Sequence, residues 1–342
     1  MNELNKNEEI NINTIQIKKI KTIDAYSINP YNNSFIIFKS TYCDLQYLIY
    51  VTKNNFLISY DLNTNQIISE IKHSEDTKRL EYINDKKNKR DLLMAYSILN
   101  FLIIYDIKNW NKILTLNKVN HLGTLSSAIL YYDIKVNESF ILTSNDNYIK
   151  PDNIKVYDLK GNVRKELIKS NENTWCIKAY YDDKNNKTFI IAIIQKKYIK
   201  SYDYDNNTLY KKYNEKGVEG YSNIEIIKNK EGLVQLIISC AAYGLILIFN
   251  FNTGNLLNII KTEEKFFTMF LYNEITLYMG TMNGNLIIMN LLTQEKKKIE
   301  NAHTNYINCI NKFYHIKEGN CLITQGNDNI INIYQIFKSE SP

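Results

Sequence analysis

Only four histidines occur in this 342-residue chain, and three of them, His73, His121 and His303, fall at one position of a repeated pattern. An imidazole group near neutral pH can bind a metal ion or act as a general base. Such roles need side chains that converge on one site, whereas a repeat distributes equivalent positions over different units. We therefore expect these three histidines to be structural, and we predict neither a metal site nor a catalytic residue.

The five cysteines do not indicate a metal site or a disulfide framework either. They are irregularly spaced and form no CxxC pair: Cys43, Cys176, Cys240, Cys309 and Cys321. An odd, irregular set is typical of reduced thiols, so we expect an intracellular protein, cytoplasmic, with the nucleus as an alternative. The N-terminus lacks the apolar core of a signal peptide, and no apolar run reaches the roughly 20 residues of a membrane-spanning helix. We expect no transmembrane segment.

The sequence motifs of the common enzyme classes are absent. There is no GxxxxGK[ST], HExxH or GxSxG, and no glycine fingerprint of a dinucleotide site. The 42 basic and 36 acidic residues give a net charge of +6, which is mild for a nucleic-acid-binding protein. The lysine clusters are scattered along the chain, at 18–19, 86–87, 196–197, 211–212 and 296–298. We expect no enzyme activity and no cofactor.

The elements that must position these residues are short strands in a repeat. Seven apolar phrases end in a similar residue pair, 40 to 52 residues apart: Tyr60-Asp61, Tyr105-Asp106, Tyr157-Asp158, Tyr202-Asp203, Phe249-Asn250, Met289-Asn290 and Tyr334-Gln335. Such a period accommodates four short strands and their turns. Within each period, apolar runs rich in Ile, Tyr and Leu are bounded by Asn, Asp and Gly, a pattern that predicts hairpins. We predict an all-β fold, a seven-bladed β-propeller of four-stranded blades.

The two ends of the chain indicate how the ring closes. The last period stops one strand short, while the N-terminal segment TIQIKKIKTI (14–23) has a strand pattern and no obvious partner. Pairing this segment with the last blade would remove an exposed sheet edge. Eight blades remain an alternative if 31–40 belongs to a further partial blade. We expect flexible tails at 1–12 and 339–342 around one domain, 13–338, with blades at about 24–73, 74–120, 121–170, 171–217, 218–262, 263–302 and 303–338 plus strand 14–23.

From about residue 14 to residue 337 the repeat resembles a diverged WD-repeat β-propeller. The repeat of that family opens with Gly-His and ends in Trp-Asp, and here Tyr-Asp stands four times for Trp-Asp. The resemblance implies a buried hydrogen-bond network in the last blade, formed by His303, Thr324, Asp328 and Tyr334. It implies structural roles of the same kind for His73 and His121, and for Asp146 as the turn acid of the third blade.

The resemblance also implies a binding surface, because partner peptides of this family dock at the rim of the central channel, just before the first strand of a blade. Aligned on Tyr306, the equivalent residues are Trp175, Phe266 and Tyr221. Aromatic side chains supply much of the binding energy at interfaces. We predict that these four residues form a partner-binding rim, with Trp175 as the first candidate; the alternative is that their rings pack between blades.

Three functions remain open. The leading hypothesis is a non-catalytic scaffold, monomeric by itself, that binds protein partners within a larger intracellular complex. The first alternative is a propeller that binds an anionic surface, RNA or phospholipid, through lysine-rich loops. The second is an enzyme with a site at the channel mouth, which would require acids or histidines that converge there.

Overall fold

Seven four-stranded antiparallel sheets make up the part of the chain that the computed structural model describes. The described residues are 12–24, 35–43, 45–52, 54–73, 77, 79–97, 101–117, 125–145, 154–167, 172–229 and 231–338. The strands are β1 (Ile15–Asp24), β2 (Phe35–Lys39), β3 (Gln46–Val51), β4 (Phe56–Asp61), β5 (Gln66–Lys72), β6 (Arg79–Asp85), β7 (Arg90–Ser97), β8 (Phe101–Asp106), β9 (Asn111–Asn117), β10 (Leu125–Asp133), β11 (Glu138–Asn145), β12 (Ile154–Asp158), β13 (Val163–Leu167), β14 (Thr174–Asp182), β15 (Lys187–Ile194), β16 (Tyr198–Asp203), β17 (Thr208–Tyr213), β18 (Asn223–Lys228), β19 (Val234–Cys240), β20 (Leu245–Asn250), β21 (Leu256–Lys261), β22 (Phe266–Leu271), β23 (Thr276–Thr281), β24 (Leu286–Asn290), β25 (Lys296–Ile299), β26 (Ile307–His315), β27 (Gly319–Gly326) and β28 (Ile330–Lys338).

The sheets are the blades of a propeller. Strands β2–β5 form blade 1, each following set of four forms the next, and blade 7 consists of β26–β28 and β1. Neighbouring first strands contact each other in order from β2 to β26, and β26 contacts β2 again. The prediction of an all-β, seven-bladed propeller is confirmed. Short 3-10 helices lie at Ile12–Thr14 and Ala241–Tyr243, and no helix among the described residues is long and apolar enough to cross a membrane.

Burial decreases from the inner strands of a blade to its outer strand, because the blades pack face to face. All six residues of β3 are buried, whereas the residues of β5 are exposed or half-buried. A continuous apolar run suits a strand that is covered on both faces. The core therefore consists of layers between neighbouring blades, such as Phe313 and Ile323 of blade 7 against Leu48 and Tyr50 of blade 1.

In blades 1 to 6 the recurring acid or amide at the end of the third strand caps the turn that follows. The Oδ1 atoms of Asp61, Asp203 and Asn250 each accept a hydrogen bond from the backbone N–H two residues later, at 2.9 to 3.1 Å. The turn then needs a residue with positive φ, which Asn207 (φ 55°) and Gly254 (φ 80°) supply. The Tyr-Asp pair is thus a feature of the fold: the ring is buried between blades and the carboxylate closes the turn.

The N-terminal strand closes the ring, as predicted. Strand β1 pairs antiparallel with β28, from Ile15 opposite Lys338 to Asp24 opposite Ile330. Blade 7 therefore has four strands, and the edge of β28 is covered. Strand β2 (Phe35–Lys39) is the first strand of blade 1 and belongs to no additional blade, so the eight-bladed alternative is wrong.

The first strand of each blade lines a central channel. All first strands begin at the same face of the ring, and the turns between second and third strands lie at that face too. We call it the entrance face. The turns that follow first and third strands lie at the opposite face.

Candidate functional site

In several blades the first strand begins with a one-residue bulge at the entrance face. The pairing of β14 with β15 skips Trp175, and the corresponding pairings skip Phe267 in blade 6 and Asn308 in blade 7. A bulge breaks the regular alternation of side chains and redirects the extra one. The side chains of Trp175, Phe267 and Asn308 all line the channel cavity.

Apolar side chains form a crescent around the channel mouth on blades 4 to 7. We call this set the entrance patch: Trp175, Tyr243, Phe267, Met282 and Tyr306. Tyr243 and Met282 are 62% and 43% exposed, and the other three are half-buried. The rings of Phe267 and Tyr306 lie 5.2 Å apart, which joins blades 6 and 7. Exposed apolar side chains that adjoin each other are a feature of interaction surfaces.

The indole of Trp175 is fixed in place by a neighbouring turn. The ammonium of Lys196 lies 3.5 Å from the ring centroid, a short cation–π contact. The backbone carbonyl of Lys196 accepts hydrogen bonds from the N–H groups of Gly220 and Tyr221, at 2.7 and 3.1 Å. The turn that carries Lys196 is thereby tied to the loop leading into blade 5, and it holds the indole at the channel mouth.

Two of the four predicted rim aromatics do not reach the surface. Tyr221 and Phe266 are fully buried between blades, and the hydroxyl of Tyr221 accepts a hydrogen bond from the N–H of Glu215 at 3.1 Å. For these two residues the alternative, packing between blades, is correct. An alignment without bulges assigns Phe266 to the rim position of blade 6. The bulge at the start of β22 places Phe267 there instead, which explains why the prediction of Phe266 is wrong. Trp175 and Tyr306 do lie at the mouth, and their role in binding stays a prediction.

Next to the entrance patch, the channel wall carries charged side chains that belong to no recognisable sequence motif. Arg79 and Glu81 lie two residues apart on β6, so they share one face of the strand, while Leu80 between them packs into the layer between blades 1 and 2. Across the channel, the ammonium of Lys178 lies 2.6 Å from Oε2 of Glu225. All four charged residues line the same cavity.

Burial shifts the pKa values of several groups that line the channel. Burial raises the pKa of Glu81 to about 7, although Arg79 and Lys178 oppose the rise. The pKa of Arg79 is raised, chiefly by electrostatic interaction with Tyr96, so the guanidinium stays charged. Burial raises the pKa of the Cys309 thiol to about 12 and also raises that of Cys176. Both thiols are therefore protonated at neutral pH and are poor nucleophiles.

Asn308 is the least satisfied polar group of the channel wall. It is 3% exposed, yet neither its amide nitrogen nor its amide oxygen has a hydrogen-bonding partner among the described residues. A buried amide without partners costs free energy, because it has lost its hydrogen bonds to water. The bulge in β26 directs this side chain to the cavity. Nothing in the sequence around Asn308 marks it, since its position follows from the bulge.

The residues of the predicted hydrogen-bond network come together in blade 7. Nε2 of His303 lies 2.7 Å from Oγ1 of Thr324, and Nδ1 lies 3.0 Å from Oδ1 of Asp328. The hydroxyl of Tyr334 donates to the carbonyl of Ala302 at 3.1 Å. Burial opposes ionisation of Asp328, but its hydrogen bond and electrostatic interaction with His303 lower its pKa overall. This arrangement fixes the loop that enters blade 7.

His73 has a simpler environment than His303. Its Nδ1 lies 2.7 Å from the hydroxyl of Tyr105, the aromatic residue at the end of the third strand of blade 2. Burial, together with the nearby charge of Lys112, lowers the pKa of His73 to about 4. The imidazole is therefore neutral at pH 7 and links the end of blade 1 to blade 2. His121 and Asp146, the other two residues predicted to be structural, lie outside the described residues.

The lysine clusters lie in different parts of the molecule. Those at 18–19, 211–212 and 296–298 are on outer strands, and only 86–87 and 196–197 are in turns. Several of these lysines have acidic or aromatic partners: Lys87 lies 2.6 Å from Glu138, and Lys298 lies 2.5 Å from Glu264. Three of the five clusters therefore lie on outer strands and not in loops, and the binding of an anionic surface by these lysines stays a prediction.

Comparison with known proteins supports the fold. No family model matches the chain, and no curated protein sequence matches it. Among solved structures, the chain is similar to the one described as "Crystal structure of BBS1N in complex with ARL6DN, soaked with lead". The TM-score is 0.69 at 10% sequence identity, over 94% of this chain and 97% of that chain. At this identity the likeness concerns the fold alone: the chain is a seven-bladed β-propeller.

Proposed function

We propose that this protein is a non-catalytic, WD-repeat-like scaffold that binds a protein partner through the entrance patch. The observation that carries the proposal is the set of aromatic and apolar side chains at the channel mouth, in which the rings of Phe267 and Tyr306 contact each other. Aromatic residues dominate the energetically important positions of protein interfaces. Trp175 is held in place by Lys196 before any partner arrives, which lowers the entropy cost of binding.

The surroundings of the entrance patch also favour a protein interface. Charged side chains lie next to it, including Lys196, Lys197, Glu219 and Lys265, so an apolar centre has a polar margin on the described blades. This is the usual anatomy of a protein–protein interface. In the similar structure, the propeller named BBS1N was crystallised in complex with ARL6DN, so a propeller of this architecture can hold a partner.

The contacts of blade 7 support the WD-repeat-like part of the proposal, because His303, Thr324 and Asp328 are hydrogen-bonded to each other as the resemblance implies. We further propose that the chain is monomeric by itself, works in an intracellular assembly, and is cytoplasmic. The five cysteines, which are all free thiols, support an intracellular location.

The test compares proteins captured from native extract by three tagged baits. The first is the wild type, and the second is Trp175→Ala/Phe267→Ala, which removes two rings of the entrance patch. The matched control is Tyr314→Ala/Ile316→Ala, which removes two side chains of the opposite face that are 65% and 71% exposed. We expect defined proteins to bind the wild type and the control and to be lost from the entrance variant. Equal capture by all three folded baits would exclude the entrance patch as the interface.

A second candidate function rests on the charge of the outermost strands. These strands, β1, β5, β9, β13, β17, β21 and β25, carry thirteen basic and three acidic residues. The basic ones are Lys18, Lys19, Lys21, Lys72, Lys112, Arg164, Lys165, Lys211, Lys212, Lys261, Lys296, Lys297 and Lys298. Such a circumference fits an anionic surface, either RNA or phospholipid. If the baits recover only nucleic acid or lipid, and moderate salt removes it, this function replaces the scaffold.

A further inference from the structure

The channel cavity has the size and composition of a small-molecule site. Its volume is about 770 Å³, and the first strands of all seven blades contribute to its wall. Ligand sites in proteins are usually concave and mostly apolar, with a few polar groups that converge on the ligand. Here Trp175 and Phe267 supply apolar walls near the mouth, Asn308 occupies the equivalent bulge of blade 7, and the charged groups lie on the first strands.

Among the described residues that line the channel, Arg79 loses its matching anion when Glu81 is protonated, as it is below neutral pH. Lys178 and Glu225 form an ion pair and balance each other. Arg79 has Glu81 on its own strand, but burial raises the pKa of that carboxyl to about 7. A guanidinium group cannot lose its proton in a protein, so Arg79 keeps its charge when Glu81 is protonated. The channel then carries a net positive charge.

The position of Arg79 makes this charge available to a ligand. Arg79 lines the cavity together with Cys176 of blade 4 and Cys309 of blade 7. Its strongest electrostatic interaction is with the buried side chain of Tyr96, so a ligand would share the guanidinium with that group. Next to Cys309 lies Asn308, whose buried amide has no hydrogen-bonding partner among the described residues and offers both a donor and an acceptor.

We propose that the central channel binds a small organic anion, with its carboxylate or phosphate group held by Arg79 and a hydroxyl or amino group bonded to Asn308. The planar guanidinium matches the geometry of either oxyanion and can bind it through two parallel hydrogen bonds. The ligand would satisfy the orphaned amide of Asn308. This site does not depend on the proposed scaffold function, since it lies inside the channel and its ligand is a small molecule.

The proposal has a consequence for pH dependence. A bound anion competes with ionised Glu81 for Arg79, so binding is stronger where Glu81 is protonated. Affinity should therefore decrease as the pH rises from 6 to 8 through the pKa of Glu81, which is about 7. The other charged or titratable groups that influence Glu81 or its neighbours in the channel are Arg79, Lys178, Glu225, Tyr96, Cys176 and Cys309.

The test is calorimetric titration of the purified full chain with three probes: inorganic phosphate, glycerol 3-phosphate and citrate. Comparing the two phosphates with citrate, a carboxylate, shows which of these two oxyanion groups the site binds. We expect at least one probe to bind the wild type at pH 6, with an affinity that is about tenfold or more lower in Arg79→Gln and in Asn308→Ala. The matched control is Arg164→Gln, which removes the same charge from an outer strand where Arg164 is 56% exposed.

One further variant, Arg79→Lys, and the mild nature of Asn308→Ala keep the test decisive. Arg79→Lys retains the charge but lacks the planar guanidinium, so it should also bind weakly even if Arg79→Gln does not fold. Asn308→Ala removes a group with no partner, so it should leave folding intact. The proposal fails if all folded variants bind as the wild type does, because the anions then bind elsewhere. It also fails if the wild type binds none of the probes with a Kd below about 1 mM.

Discussion

The ammonium of Lys196 lies 3.5 Å from the centroid of the Trp175 ring, and this contact joins the first strand of blade 4 to the turn between its second and third strands at the mouth of the channel. Trp175 occupies the bulge of β14, while Lys196 lies in the turn between β15 and β16 with a positive φ of 56°. A lysine in this strained backbone position keeps its carbonyl directed to the N–H groups of Gly220 and Tyr221. Trp175 is thus held by a turn that is itself hydrogen-bonded to the loop leading into blade 5.

The first prediction concerns this contact. Lys196→Ala should lower the free energy of unfolding by about 0.5–1 kcal/mol, the usual range for an exposed cation–π pair. The measurement is urea unfolding followed by circular dichroism. Lys197→Ala is the matched control, because the neighbouring ammonium has only a distant, exposed partner, Glu219 at 3.7 Å. We expect a loss below about 0.5 kcal/mol there. Equal losses in both variants would contradict a specific role for the contact with Trp175.

The second prediction concerns the buried hydroxyl of Thr324. Thr324→Val should destabilise the protein by about 1–3 kcal/mol, because Nε2 of His303 loses its partner at 2.7 Å while remaining buried and is left with the longer contact of 3.4 Å to Nδ2 of Asn332. Thr276→Val is the matched control: its hydroxyl is equally buried and has no partner among the described residues. That variant should be neutral or slightly stabilising. Both are compared by chemical unfolding, and a harmless Thr324→Val would show that the network contributes little to stability.

The third prediction concerns pH. The unfolded chain binds a proton at His73 below about pH 6.5, whereas the folded chain binds it only below about pH 4. Acid therefore favours unfolding between these values, and His73 should account for a loss of up to about 3 kcal/mol as the pH falls from 6.5 to 4. His73→Phe removes this contribution. The slope of stability against pH should be shallower in the variant; identical slopes would mean that the imidazole is not held neutral by burial.

Most of the fold could be predicted from the sequence because its signals are local and repeated. The apolar runs, the turn residues and the capping acids such as Asp61 and Asp203 act within a few residues of each other. The channel could not be predicted in the same way. Phe267 and Asn308 reach the cavity through bulges, which shift the register by one residue. Arg79 belongs to the channel because strands distant in sequence surround it, and no short motif encodes that arrangement.

The last prediction concerns closure of the ring by β1. A chain that begins at residue 25 lacks this strand, and it also lacks Ile12 and Ile15, which are buried against blades 6 and 7. Burying an aliphatic side chain contributes about 1.5–3 kcal/mol, so Tm should fall by at least about 5 °C. The exposed edge of β28 should also pair with other copies, which light scattering would detect as association. The control is a chain that begins at residue 12 and keeps the strand. If both chains are monomeric and have the same Tm, β1 is not needed to close the propeller.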